Sequence, residues 1–139
     1  MQPREDFFKR ELVTELRRIE NMIRREQSLE KKIYYFSAVY GITSRTYRYS
    51  FSEDVLIMDI LFHSVYNMMT ERLNLVKTGN TTVVFDQLIF ERICDGLVNL
   101  ANSFESGENV LEPLKKIVTA GFALTGPGNY MREKEELHI

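Results

Sequence analysis

The chain has 139 residues, of which 44% are hydrophobic and 27% are charged, and its formal net charge is −2. This length and composition suit one globular domain with a substantial core, and they give no overall attraction to nucleic acid or acidic membranes. The single cysteine excludes an intrachain disulfide and no apolar run could span a bilayer, so we expect a soluble, cytoplasmic protein without a membrane partner.

The first predicted element is a long amphipathic helix within residues 4–32. Its apolar residues recur at the three- and four-residue spacing of one helical face. They are Phe8, Leu12, Leu16, Ile19 and Ile23. The polar residues 26–28 interrupt this stripe, so we expect a kink or a break there. Arginine pairs on the same helix alternate with glutamates, which favours a solvated face with ion pairs over a nucleic-acid-binding stripe.

Residues 33–51 are compatible with two structures. Apolar residues can continue the helical stripe through Phe36 and Tyr40. Between residues 45 and 51, however, aromatic and polar residues alternate with the period of a strand. The alternatives are a helical continuation and a short hairpin around Gly41.

A very apolar helix is predicted next, beginning near Ser52. Ser50 and Glu53 have the spacing of a capping box, in which each side chain bonds a free backbone N–H at a helix start. The apolar stripe is Met58, Phe62, Val65, Met69, Leu73 and Val76. Gly79 is placed to end the helix, because glycine adopts the left-handed conformation that terminates helices.

Two more helices complete the predicted fold. The first has its apolar face between Phe90 and Phe104, and the second begins after Asn109, whose side chain can cap a helix. We expect Gly126-Pro127-Gly128 to stop the second helix.

The predicted fold is all-α, an antiparallel up-and-down bundle of about four helices with a long first helix. The alternative is an α+β fold with a small hairpin within residues 33–51. We expect residues 1–125 to form a single domain and residues 126–139 to form a loosely ordered C-terminal tail.

The most distinctive local pattern combines arginines with tyrosines near the end of the ambiguous segment. Arg45, Tyr47, Arg48 and Tyr49 occur with no acidic residue before Glu53. Arginine binds phosphate or carboxylate through paired hydrogen bonds, and tyrosine rings offer stacking faces. We therefore predict these four residues as a ligand-binding surface for an anionic partner or nucleic acid. The alternative is a linker whose tyrosines cover the core and whose arginines pair with acids elsewhere.

A second candidate constellation combines Asp59 and His63, one helical turn apart, with Glu91 and Asp95 on the following predicted helix. Convergence of these groups would suit acid/base chemistry or a metal site. The sequence has no glycine-rich phosphate loop and only two histidines, so we predict no cofactor and no bound metal.

These patterns favour a non-catalytic binding module that forms a homodimer. The surplus apolar surface of the long first helix and the very apolar central helix would be buried by assembly. One alternative is a small acid/base or metal-dependent enzyme that uses the polar cluster. Another is a small-molecule sensor with an interhelical pocket beside the methionine-rich helix, where Asn67 or Thr70 would orient the ligand.

Overall fold

The structure, a computed structural model, describes residues 3–79 and 86–137, with side chains described for residues 6–79 and 86–124. Helices make up nearly all of this part of the chain. They are α1 (Pro3–Arg25), α2 (Leu29–Ser50), α3 (Glu53–Lys77), α4 (Asp86–Ser106) and α5 (Leu111–Leu137). The all-helical prediction is confirmed for the described residues, which contain five helices instead of about four.

The additional helix is α2, and it shows that the hairpin alternative for residues 33–51 was wrong. The buried face of α2 keeps the three- and four-residue spacing through hydroxyl-bearing residues. Its members are Ile33, Phe36, Val39, Thr43, Thr46 and Ser50. The hydroxyl of Ser50 donates to the carbonyl of Thr46, and the single hydroxyl proton of Thr43 is shared between the Tyr40 carbonyl and the Asp59 carboxylate, so both hydroxyls are satisfied on a buried helix face. Packing against neighbouring helices thus overrides the strand propensity of the segment.

The break predicted at residues 26–28 is confirmed, because α1 ends at Arg25 and α2 begins at Leu29. The side chain of Ser28 accepts a hydrogen bond from the backbone N–H of Lys31, which caps α2. One Glu26 carboxylate oxygen accepts from the backbone N–H groups of Gln27 and Ser28, each at 3.1 Å. These bonds satisfy backbone donors that the interrupted helix leaves free.

The predicted start of α3 near Ser52 is confirmed, but the capping box is wrong. Ser52 is the N-cap of α3, and its side chain makes no capping hydrogen bond. Ser50 instead belongs to the last turn of α2. Phe51 joins the two helices with a left-handed backbone at φ 51°. Gly79 has φ 77° directly after α3, as its predicted role as a terminator requires.

Each helix packs mainly against two others. α1 contacts α2 and α4, α3 contacts α2 and α5, and α4 contacts α5. Between α1 and α4, Arg17 pairs with Glu105 and Arg24 pairs with Asp95. Since the residue number rises along one helix as it falls along the other, these two helices run in opposite directions. An antiparallel order for the whole bundle stays a prediction.

The core lies where the five buried faces meet. Its largest fully buried side chains come from α1 to α4 and include Leu16, Phe36, Phe62 and Phe90. The rings of Phe36 and Phe62 meet edge to face with centroids 5.7 Å apart, which joins α2 to α3. The apolar stripes predicted for α1 and α3 therefore face the core, apart from Phe8, Leu73 and Val76, which are only partly buried.

The last helix differs from the prediction at its C-terminal end. The side chain of Asn109 accepts a hydrogen bond from the backbone N–H of Leu111, as expected for a cap. However, α5 continues through Gly126-Pro127-Gly128 to Leu137, so the predicted stop was wrong. The single domain over residues 1–125 and the loose order of residues 126–139 stay predictions. Within the described residues, no helix has the length and apolar character needed to cross a membrane.

Candidate functional site

The four residues predicted as a ligand-binding surface lie in the last turns of α2. Arg45, Arg48 and Tyr49 are exposed on one side of the helix, since spacings of three and four residues bring side chains to the same face. Tyr47 points elsewhere and is half-buried, with its ring 5.8 Å from that of Phe51. The structure thus brings three of the four residues together and assigns Tyr47 mainly to packing.

The two arginines of this segment differ from three of the arginines on α1. Arg17, Arg18 and Arg24 each pair with a carboxylate, as the alternating charges on α1 predict. Among the described side chains, neither Arg45 nor Arg48 forms an ion pair. The described side chains thus give no support to the part of the alternative that pairs these arginines with acids, whereas Tyr47 packs against the core as that alternative expects.

Exposed aromatic rings occur close to Arg48 in the chain and around Tyr49. Tyr49 stacks on Phe8 of α1, with ring centroids 4.3 Å apart and planes 5° from parallel. Phe8 meets Phe7 edge to face at 5.5 Å, and Phe7 is half exposed. Phe51 is 72% exposed and Tyr49 is 46% exposed. We refer to Arg45, Arg48, Tyr49, Phe51 and Phe7 as the arginine–aromatic surface.

Sequence reasoning missed Phe7 and Phe51 as members of this surface. Phe7 directly precedes the first residue of the buried stripe of α1, so the stripe itself indicates that Phe7 points away from the core. Phe51 was interpreted as the last residue of a strand-like alternation. Once the segment is helical, Phe51 is instead the residue that ends α2, where its backbone N–H donates to the Tyr47 carbonyl at 2.8 Å.

The backbone of Phe51 is unusual for a residue with a side chain. A left-handed conformation costs an L-residue roughly 1–2 kcal/mol, which is why glycine is common at this position. The Phe51 ring recovers little of this cost through burial, since it stays mostly in solvent. A strained residue that contributes little to the core is typical of functional surfaces.

The second candidate constellation is partly assembled between α2 and α3. One carboxylate oxygen of Asp59 accepts hydrogen bonds from Thr43 and Ser44, both at 2.8 Å. His63 Nδ1 lies 2.9 Å from the Asp59 carbonyl oxygen and 3.8 Å from its second carboxylate oxygen. Because a carbonyl can only accept, a hydrogen bond at this position requires the imidazole tautomer with a proton on Nδ1. Tyr40 packs on the imidazole with centroids 4.3 Å apart.

The acids on α4 do not join this cluster, contrary to the hypothesis of a four-residue site. Asp95 is exposed and pairs with Arg24 of α1, whereas Asp59 bonds to α2. Glu91 is exposed on α4, which packs mainly against α1 and α5. The described residues contain no group of three or more His, Cys, Asp or Glu that could hold a metal ion. The acid/base hypothesis is therefore reduced to Asp59 and His63.

The residues proposed to orient a ligand beside the methionine-rich helix have local roles. The Thr70 hydroxyl donates to the carbonyl of Asn67 at 2.9 Å, and the Asn67 side chain is exposed. Met58 and Met69 are fully buried in the core. Ordinary core filling accounts for these methionines, as their flexible side chains suit irregular gaps.

Comparisons with models of protein families, with curated proteins and with solved structures each found no match for this chain.

Proposed function

We propose that this protein is a non-catalytic binding module whose arginine–aromatic surface contacts single-stranded nucleic acid. The observation that carries the proposal is the pair of exposed arginines, Arg45 and Arg48, without an ion pair among the described side chains. Tyr49 and Phe51, which lie within three residues of Arg48 in the chain, have exposed rings that add stacking faces.

The chemistry of the surface suits a partner with regularly spaced phosphates and flat bases. Arg45 and Arg48 are three residues apart on one helix face, so their side chains start roughly 5–6 Å from one another. Each guanidinium can bind a phosphate through two parallel hydrogen bonds. Base stacking on an aromatic ring contributes about 1–3 kcal/mol per base. Tyr49 and Phe51 expose ring area for such stacking.

The strain at Phe51 is explained by the same proposal. Glycine would end α2 without the left-handed penalty, but it would remove an exposed ring from the surface. Binding energy from that ring gives a reason for phenylalanine at this position, which stability alone does not.

Fluorescence anisotropy with a fluorescein-labelled oligothymidylate tests the proposal. The double variant Arg45→Ala/Arg48→Ala should weaken binding by at least about tenfold, because charge-assisted hydrogen bonds are lost. The matched control is Lys115→Ala/Lys116→Ala, which removes the same charge from exposed positions on α5. Equal losses in both variants, or no loss in either, would contradict a localised site.

We also propose that the protein assembles as a homodimer. Large apolar side chains are exposed on every helix, including Ile60 on α3 and Phe122 on α5, two helices that pack together. Self-association would remove part of this apolar surface from water. Light scattering in low and high salt, with absorbance at two wavelengths, measures the mass and any bound nucleic acid together. A monomer at all concentrations would contradict the dimer and would not affect the proposal that the arginine–aromatic surface binds nucleic acid.

A further inference from the structure

A cavity of about 600 Å³ lies where the turn between α1 and α2 meets the start of α4. Small-molecule sites typically have volumes of about 300–1,000 Å³. Lys32, in the first turns of α2, lines this cavity. At about 1.5 Å per residue, Lys32 is roughly 20 Å along the helix from Arg45, so the cavity is separate from the arginine–aromatic surface.

The inner wall of the cavity is apolar. Phe90 and Cys94 of α4 line it, and each is only 1% exposed. Leu29 at the start of α2 adds a partly buried aliphatic side chain. Burial raises the pKa of the Cys94 thiol to about 12, so the thiol stays neutral at physiological pH. A ligand with a flat or aliphatic body would displace water chiefly from Leu29, the most exposed of the three.

Lys32 introduces a buried cation beside this apolar wall. The residue is 9% exposed, its Nζ donates to the Ile23 carbonyl at 3.1 Å, and Nζ lies 5.6 Å from the centre of the Phe90 ring. Among the described side chains, no carboxylate lies within ion-pairing distance of Nζ. An ammonium group has three donors, and a buried charge is costly without a counterion. An anion at this point would supply the missing charge.

Two other charged residues that line the cavity, Arg24 and Asp86, already have partners of opposite charge in the protein. Arg24 binds the carboxylates of Glu20 and Asp95. Asp86, which is buried, pairs with Arg72 at 2.8 Å. Lys32 differs from these groups because no carboxylate among the described side chains forms an ion pair with it, and a carbonyl and a ring contact its ammonium group. The cavity-lining Glu26, whose pKa is lowered mainly by a hydrogen bond from the Ser28 backbone and also by the charge of Lys32, lies beyond ion-pairing distance.

We propose that this cavity binds a small organic anion with an apolar body, such as an aromatic or aliphatic carboxylate or sulfonate. The anionic group contacts Lys32 Nζ, and the apolar body lies on Phe90 and Cys94. This inference does not depend on the nucleic-acid surface, since the two sites share no residue.

Two fluorescent dyes that differ only by a sulfonate group test the proposal on the wild-type protein. 8-Anilinonaphthalene-1-sulfonate carries one sulfonate, and N-phenyl-1-naphthylamine is the same ring system without it. We expect saturable one-site binding of the sulfonate, at least about tenfold tighter than the neutral dye, a factor that corresponds to about 1.4 kcal/mol. Equal affinities would overturn the role of the ammonium group, and no saturable binding of either dye would overturn the site.

Variants then locate the anion. Lys32→Met keeps the side chain as far as the ε position and removes only the charged terminal nitrogen, so it should weaken sulfonate binding about tenfold and leave the neutral dye unaffected. Lys31→Met is the matched control, because Lys31 is the exposed neighbour and does not line the cavity. Lys32→Arg should retain sulfonate binding. Equal effects of Lys31→Met and Lys32→Met would overturn the proposal. If Lys32→Met does not fold, the comparison of the two dyes on the wild type decides whether the ammonium group binds the anion.

Discussion

Replacing Gly96 with alanine tests the close packing of α4 against α5. A Cβ atom at position 96 would overlap Ile117 Cγ1 and lie 3.2 Å from Ile117 Cδ1 and 3.6 Å from the Pro113 carbonyl oxygen. Ile117 is fully buried, and the overlap is with the inner carbon of its side chain, so rotation of the terminal methyl group cannot relieve it. Overpacking costs about 1–3 kcal/mol, whereas alanine gains about 1 kcal/mol over glycine within a helix. We therefore expect Gly96→Ala to lower the free energy of unfolding by up to about 2 kcal/mol.

Gly41→Ala is the internal control for this experiment. Gly41 lies within α2, is exposed, and has no atom within 4 Å of an added Cβ. Only the difference in helix propensity between glycine and alanine therefore affects stability, and the variant should be about 0.5–1 kcal/mol more stable than the wild type. Urea denaturation followed by far-UV circular dichroism measures both values. A Gly96→Ala variant as stable as Gly41→Ala would refute the packing between α4 and α5.

Three further variants test other parts of the structure. Arg72→Met leaves the buried Asp86 carboxylate without its partner, so the free energy of unfolding should fall by about 3–5 kcal/mol. A fall of less than about 1 kcal/mol would contradict the burial of this pair. The pKa of Cys94 is raised from its ordinary 9.0 to about 12 by burial, so the unfolded chain ionises first and stability is lost as pH rises from 9 towards 12. Between about pH 8 and pH 10, the free energy of unfolding of the wild type should fall by about 1 kcal/mol more than that of Cys94→Ala. An equal change in the two proteins would argue against a buried thiol. Phe51→Gly should stabilise the protein by up to about 1 kcal/mol and also weaken oligothymidylate binding. Destabilisation would show that the contact of the Phe51 ring with Tyr47 outweighs the left-handed strain.

The amphipathic helices could be predicted from the sequence because their apolar stripes are unbroken. α1 and α3 follow from the spacing of aliphatic and aromatic residues alone. α2 was ambiguous because Thr43, Thr46 and Ser50 occupy its buried face, where a pattern search expects apolar residues. Only the structure shows that two of these hydroxyls bond to carbonyls of the preceding turn.

The candidate sites were predictable to different degrees. Arg45 and Arg48 could be found because a cation-rich segment without acids is visible locally. Phe7 joins that surface through Phe8, which is 41 positions from its stacking partner Tyr49 in the sequence, and no local pattern encodes such a contact. The cavity beside Lys32 depends on α4 meeting the turn between α1 and α2. Likewise, only the partners of Asp59 on α2 and of Asp95 on α1 show that these two aspartates belong to different clusters.

The salt dependence of oligothymidylate binding tests the central claim most directly. Each phosphate contact with a single strand contributes about −0.7 to the slope of log affinity against log salt. If Arg45 and Arg48 each contact one phosphate, the slope of Arg45→Ala/Arg48→Ala should be about 1.4 less steep than that of the wild type, with the Lys115→Ala/Lys116→Ala slope unchanged. Identical slopes for the wild type and the arginine variant would show that these residues contact no phosphate, which would contradict the proposed function.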